Sequence, residues 1–317
     1  MQLPELVHDP GFQSGLVAGS VALVMIVALA LVKRFRRRGA VTPLPVAGVA
    51  LVATALIALN DTRGGVPPND QLVFGLVLLA VGPLVADLAP SRLITILSTV
   101  PGAAFVAWSV SIDNDIGWVG LVAFLATVVG AALVTDFDRA NSSTGLGLVL
   151  MALTTLSAYT ALPDTEQIAA MAGAALPIAL LGTPVAVASL GSPGAASAVG
   201  LFVWVAAIGG RARPGSFIGA LACLGLMLVE PIVRRILPLG WYRGPRAPLS
   251  LRALLIVALD AAVVAGTSRI AGLETSALAA AGLAALLLIG AAIVLGLVLM
   301  SWGRNLSRPS RATAGSR

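Results

Sequence analysis

The chain has 317 residues, of which 58% are hydrophobic and only 11% charged, with a mean hydropathy of +0.98 and a formal net charge of +6. A soluble globular domain carries about 25% charged residues, so the composition excludes one, and it excludes disorder for the opposite reason. The single cysteine (Cys223, inside an apolar run) excludes a disulfide framework and a cysteine-rich metal site, and the single histidine, His8, excludes a histidine-cluster zinc or haem site. The positive charge does not point to nucleic acid, because the basic residues sit in short loops beside apolar runs.

Apolar runs of roughly 20 residues, long enough to cross a hydrocarbon core of about 30 Å, recur along the whole chain. In chain order the expected spans are about 12–32, 41–59, 71–88, 93–110, 118–134, 144–161, 168–189, 195–210, 216–237, 251–268 and 277–302. This predicts an all-α polytopic membrane protein of about 11 helices, with residues 1–317 forming a single integral membrane domain and 303–317 a short basic tail. The first run is too long and too basic on its C-terminal side for a cleaved signal peptide. Alternate loops collect 16 of the 20 basic residues, from Lys33, Arg34, Arg36, Arg37 and Arg38 through Arg92, Arg139, Arg234, Arg235, Arg243, Arg246 and Arg252 to the tail. Arg63, Arg211, Arg213 and Arg269 fall on the other side. The positive-inside rule then puts the N-terminus outside and the C-terminus in the cytoplasm of the plasma (inner) membrane.

Ionisable groups in or beside a span are expensive and are functional candidates for that reason. Five carboxylates qualify: Asp87, Asp136, Asp138 and Glu230 near cytoplasmic span ends, and Asp260 in the middle of the tenth span. Carboxylates gathered at the inner face, with arginines nearby, have the chemistry to hold a hard divalent cation. The competing reading is ion pairing at the interface, Asp87 with Arg92 and Asp136 or Asp138 with Arg139 or another loop arginine. For Asp260 a buried hydrogen bond to another helix is the expected role, with a proton-relay site as the alternative.

Several inner-face segments, taken in order, carry a resemblance. They are Arg37-Arg38-Gly39-Ala40-Val41-Thr42-Pro43-Leu44-Pro45-Val46-Ala47-Gly48, Gly82-Pro83-Leu84-Val85-Ala86-Asp87-Leu88-Ala89-Pro90-Ser91-Arg92, Asp138-Arg139-Ala140-Asn141, Gly191-Ser192-Pro193-Gly194-Ala195 and Val229-Glu230-Pro231-Ile232-Val233-Arg234-Arg235. Together they resemble the polyprenyl-phosphate N-acetylhexosamine-1-phosphate transferases, the membrane family that includes the phospho-N-acetylmuramoyl-pentapeptide transferase of peptidoglycan synthesis. The resemblance covers roughly residues 30–250 and lies in the ordered set rather than in any one motif.

The resemblance implies transfer of a sugar-1-phosphate from a UDP-N-acetylhexosamine to a polyprenyl phosphate in cell-envelope synthesis, with Mg²⁺ as cofactor and UMP leaving. Carried over residue by residue, Asp87 and Asp138 would be the catalytic and metal carboxylates and Asp136 an additional metal ligand. Asn141, Gly191, Ser192, Gly194, Arg234, Arg235 and Arg243 would bind substrate. The implied partners are the lipid bilayer, the polyprenyl phosphate and the UDP-sugar, not nucleic acid, and there is room for a homodimer or a complex with other envelope enzymes. The departures are specific. Ala86-Asp87 stands where the family has an Asp pair, Thr135 where it has an Asn, Ser192 where its glycine-rich loop has an Asp, and its late His-rich motif has no counterpart. Replacing a carboxylate ligand by Ala or Ser removes the charge a Mg²⁺ site is built from, so impaired chemistry is expected. A non-catalytic scaffold or lipid-binding pseudoenzyme is the alternative function, and a transporter the third.

Overall fold

A computed structural model describes residues 3–36, 45–61, 67–86, 92–114, 116–141, 145–162, 166–182, 188–211, 213–237, 251–273 and 276–306. Among these residues the chain forms helices α1 (Leu3–Leu6), α2 (Pro10–Arg36), α3 (Ala47–Asp61), α4 (Asp70–Ala86), α5 (Arg92–Asp113), α6 (Gly117–Asn141), α7 (Leu146–Ala161), α8 (Glu166–Gly182), α9 (Ser192–Gly209), α10 (Pro214–Ala222), α11 (Leu226–Ile236), α12 (Leu251–Gly272) and α13 (Ala277–Leu306). The described residues contain no strand. Backbone groups in a bilayer must find their partners within the chain, and helices do this locally.

Six stretches are both long and apolar enough to cross a membrane: Pro10–Val32, Ile96–Asp113, Gly117–Asn141, Ser192–Gly209, Ala253–Gly272 and Ala277–Val298. The helices α10 and α11 form one further apolar pair, bent by 54°. Four others, Ala47–Asn60, Asp70–Val85, Leu146–Ala161 and Glu166–Leu180, are apolar but shorter. The protein is an all-helical membrane protein. Its outer helices carry exposed apolar side chains, among them Val17, Val21, Val24 and Met25 on α2 and Leu286, Ile289 and Ile293 on α13, as a hydrocarbon solvent requires.

The centre of the bundle is α9, whose apolar window is 94% buried. Its sequence explains the position. Ala195, Ala196, Ser197, Ala198 and Gly200 let neighbouring helices approach closely, while Phe202 and Trp204 fill the space further along. The helices α3, α4, α5 and α6 pack around it. A second group, α7, α10, α12 and α13, packs together around α12, and α2 lies along α8.

Two expectations from sequence are corrected. The seventh apolar run was expected to stay in a span to residue 189, but α8 ends at Gly182 and residues Ala188–Gly191 are not helical. Instead, the carbonyls of Ser189 and Leu190 accept the backbone N–H groups of Ala47 and Gly48 at 3.2 Å each. The stretch satisfies the otherwise orphaned donors at the start of α3. The ninth run was expected to be one span, but it breaks at Cys223–Gly225 into α10 and α11, with Gly225 at φ 47°. The break is closed from neighbouring helices. The Thr154 hydroxyl on α7 donates to the Cys223 carbonyl at 2.9 Å. Thr154→Val is expected to strip that carbonyl of its partner and lower stability by about 1 kcal/mol, the scale of an interhelical hydrogen bond in a membrane, read as a fall in Tm in detergent.

Candidate functional site

Four chain segments meet at one end of the bundle: the last turn of α6, the loop entering α9, the start of α3 and the last turns of α11. The connection begins at Asp138. This side chain is only 3% exposed, so its carboxylate needs protein donors. Oδ1 accepts the backbone N–H of Leu190 at 3.1 Å and Oδ2 that of Gly191 at 2.9 Å. Asp138 thus clamps the loop entering α9 against the end of α6. The geometry needs glycine at 191, where φ is +73° and only a residue without Cβ adopts the conformation easily. Next to it Gly194 lies backbone to backbone against Gly48 of α3. A Cβ on Gly48 would stand 2.6 Å from the Gly194 Cα.

The adjacent arginine faces outward. Arg139 is exposed and donates to the Ser192 hydroxyl at 3.3 Å. On the other side, Arg235 forms an ion pair with the Asp136 carboxylate, and Arg234 donates to the Asp136 carbonyl at 2.9 Å. Arg234 also lies 3.8 Å from Glu230, one turn back on α11 and fully buried. Asp136, Arg139, Ala140, Arg234 and Arg235 line a cavity of about 420 Å³. Three guanidinium groups and one carboxylate line this cavity; Arg139 and Arg234 donate to neutral oxygens, and Arg234 and Arg235 also have acidic partners in Glu230 and Asp136. A guanidinium fork in this setting is suited to an oxyanion, above all a phosphate.

Of the residues singled out from sequence, Asp136, Arg234 and Arg235 line the cavity, Ser192 is joined to it through Arg139, and Asp138, Gly191 and Gly194 form the adjoining loop contact. Asn141 is buried, and its amide donates to the Phe137 carbonyl at 2.9 Å within the same helix. Asp87, Arg243 and residues 307–317 of the basic tail lie outside the described residues. The cavity residue that the sequence did not single out as a ligand is Arg139, read there only as a partner for neighbouring acids. Its signal was available, because a basic residue directly follows the acid of the motif.

No protein-family model matches this chain, and no curated protein is significantly similar to it.

A Mg²⁺ ion takes a near-octahedral set of oxygens and one or two carboxylates. Both oxygens of Asp138 already accept backbone N–H groups, and Asp136 is paired with Arg235. Among the described residues no group of three or more His, Cys, Asp or Glu is arranged to hold a metal ion. The described donor set does not fit Mg²⁺ by itself, and what remains of that expectation rests on Asp87. The arrangement is a cavity lined by three arginines and Asp136, beside the buried Asp138 clamp.

Proposed function

We propose that the protein is a divergent relative of the polyprenyl-phosphate N-acetylhexosamine-1-phosphate transferases that binds the phosphate head group of a polyprenyl lipid without transferring a sugar phosphate to it. The observation that carries this reading is the cavity lined by Arg139, Arg234 and Arg235 at the ends of α6 and α11. Its support from sequence is the ordered set of inner-face motifs, together with the loss of Asp at 86 and 192. The guanidinium groups bind and orient the phosphate, and the Asp138 clamp fixes the loop that carries Ser192, the hydroxyl to which Arg139 donates. Among the described residues no group of three or more His, Cys, Asp or Glu is placed to organise a metal for the transfer step.

The same proposal includes eleven crossings of the plasma membrane, with the N-terminus outside and the cavity on the cytoplasmic face. What supports this is alternation. The ends that meet at the cavity all belong to loops on the basic side. Asn69, before α4, donates to Asp113 at the end of α5 at 3.3 Å, and Asn114 donates to the Ala207 carbonyl near the end of α9 at 3.4 Å. Those three ends all belong to the acidic side.

The test uses the full chain in nanodiscs. Polyprenyl phosphate is expected to bind and the neutral polyprenol of the same length is not. Each of Arg139→Gln, Arg234→Gln and Arg235→Gln is expected to weaken binding by about tenfold, the scale of one charge-assisted hydrogen bond. Equal affinity for phosphate and alcohol would overturn the reading. The second reading, retained transferase activity, is favoured by the meeting of the motif segments at one cavity. It predicts UMP release from a UDP-N-acetylhexosamine in the presence of Mg²⁺ and polyprenyl phosphate, abolished by Asp87→Asn.

A further inference from the structure

Away from the cavity, the break between α10 and α11 holds a carboxylate that the proposed function does not use. Asp260 sits near the middle of α12 and is fully buried. Its Oδ1 accepts the backbone N–H of Leu226, the first residue of α11, at 2.9 Å. This is the interhelical hydrogen bond expected from sequence, and it supplies the acceptor that the broken helix lacks. Gly225 packs so closely that a Cβ there would stand 2.7 Å from Oδ1. The second oxygen, Oδ2, is buried without a hydrogen-bond partner.

An ionised carboxylate so placed calls for a cation, a second donor or water. The helices packed against Asp260 offer little among their described residues. On α7 the titratable group is Tyr159, α10 has none, and α13 has none over Ala277–Val298. Cys223 lies at the break itself, with the Thr267 hydroxyl 3.3 Å from its sulfur. On α11 the charged groups are Glu230, Arg234 and Arg235, the nearest of them one turn beyond Leu226 and itself acidic. On α12 the cations are Arg252, eight residues before Asp260, and Arg269, nine residues after it, thus about 12 and 13 Å along the axis.

We infer that Asp260 is a proton-binding site at the break. It carries a proton on Oδ2 while α10 and α11 are held closed, and it gives that proton to water that enters when the break opens. The balance is one proton exchanged with solvent and no other bond made or broken. The neutral acid still accepts the Leu226 N–H through Oδ1, so the closed geometry keeps its hydrogen bond. The charged form draws water in, because among the described residues no counter-charge lies against it. This inference does not depend on what the arginine cavity binds.

Cys223 is the only cysteine in the chain and is fully buried at the break, which makes it a built-in reporter. The intact protein in nanodiscs would be labelled with a membrane-permeable thiol reagent across a pH series, in wild type and in Asp260→Asn. The amide is neutral at every pH and keeps the acceptor, so the variant records the thiol's own pH dependence. The ratio of wild-type to variant rate is expected to climb with pH, by up to about tenfold per unit for a one-proton linkage. A ratio that stays flat from acid to alkaline pH overturns the inference. Should Asp260→Asn fail to fold, infrared spectroscopy of the wild-type protein at neutral pH decides. A protonated-carboxyl band that survives in both Asp138→Asn and Glu230→Gln supports the site, and the absence of such a band overturns it.

Discussion

Asp138→Ala is expected to produce the largest loss of stability of any single side-chain truncation at the cavity. The carboxylate satisfies two buried backbone donors, Leu190 N–H and Gly191 N–H, and alanine leaves both without an acceptor. Each orphaned buried donor costs about 1–3 kcal/mol, so the expected total is about 3–5 kcal/mol, read from reversible unfolding in mixed detergent or as a fall in Tm. Asp138→Asn keeps one acceptor and turns an amide donor toward the other N–H, so its loss should be intermediate. The order of the series discriminates between roles. A clamp loses stability in metal-free buffer in the order alanine, asparagine, wild type. A pure metal ligand would leave metal-free stability unchanged and lose only stabilisation by added Mg²⁺. Alanine and wild type unfolding together without metal would refute the clamp.

The same residue shows how far sequence reaches here. That Asp138 matters was legible, because an acid at a span end beside a glycine-rich loop is costly and conspicuous. What it does was not legible. A metal ligand and a backbone clamp both require a carboxylate facing a loop, and only the positions of the Leu190 and Gly191 N–H groups separate them. Ion pairing followed the same pattern. Sequence pairs Asp136 or Asp138 with Arg139 or another loop arginine, and the structure selects the distant branch for Asp136, whose partner is Arg235, 99 residues on, while Arg139 donates to Ser192. Helix ends bring together charges that the chain keeps apart.

The helices themselves were largely legible, because apolar run length is a strong signal in a chain with so few charges. The two misread places share a cause: apolar composition does not reveal where a helix stops when polar backbone groups are satisfied by distant partners. Residues Ala188–Leu190 look like the tail of a span, but Ala47 and Gly48 take their carbonyls. The Cys223–Gly225 break lies in a leucine-rich run, and its compensation comes from Thr154 and Asp260 on other helices. In each case the partner that makes the break tolerable lies at least 34 residues away, beyond the reach of local pattern.

The second large effect is expected at the glycine pair joining α3 to α9. A Cβ on Gly194 would lie 2.5 Å from the Gly48 Cα and 2.8 Å from the Val49 nitrogen, and a Cβ on Gly48 would lie 2.7 Å from the Leu190 carbonyl oxygen. Every one of those atoms is backbone, so no side chain can rotate away and the helices themselves must separate. Alanine gains helix propensity of about 1 kcal/mol over glycine, but overpacking costs about 1–3 kcal/mol or more, and with backbone on both sides the upper end applies. The net expectation for Gly194→Ala or Gly48→Ala is a loss of about 2 kcal/mol or more. Separation would also stretch the Ala47 and Gly48 bonds to Ser189 and Leu190, and move the Gly191 N–H away from Asp138. Head-group binding should therefore fall together with stability. Gly282→Ala and Gly290→Ala on α13 provide the control, because nothing lies within 4 Å of a Cβ at either position. There propensity acts alone, and the same substitution should be neutral or stabilising. Equal Tm changes at all four glycines would show that α3 and α9 do not meet backbone to backbone.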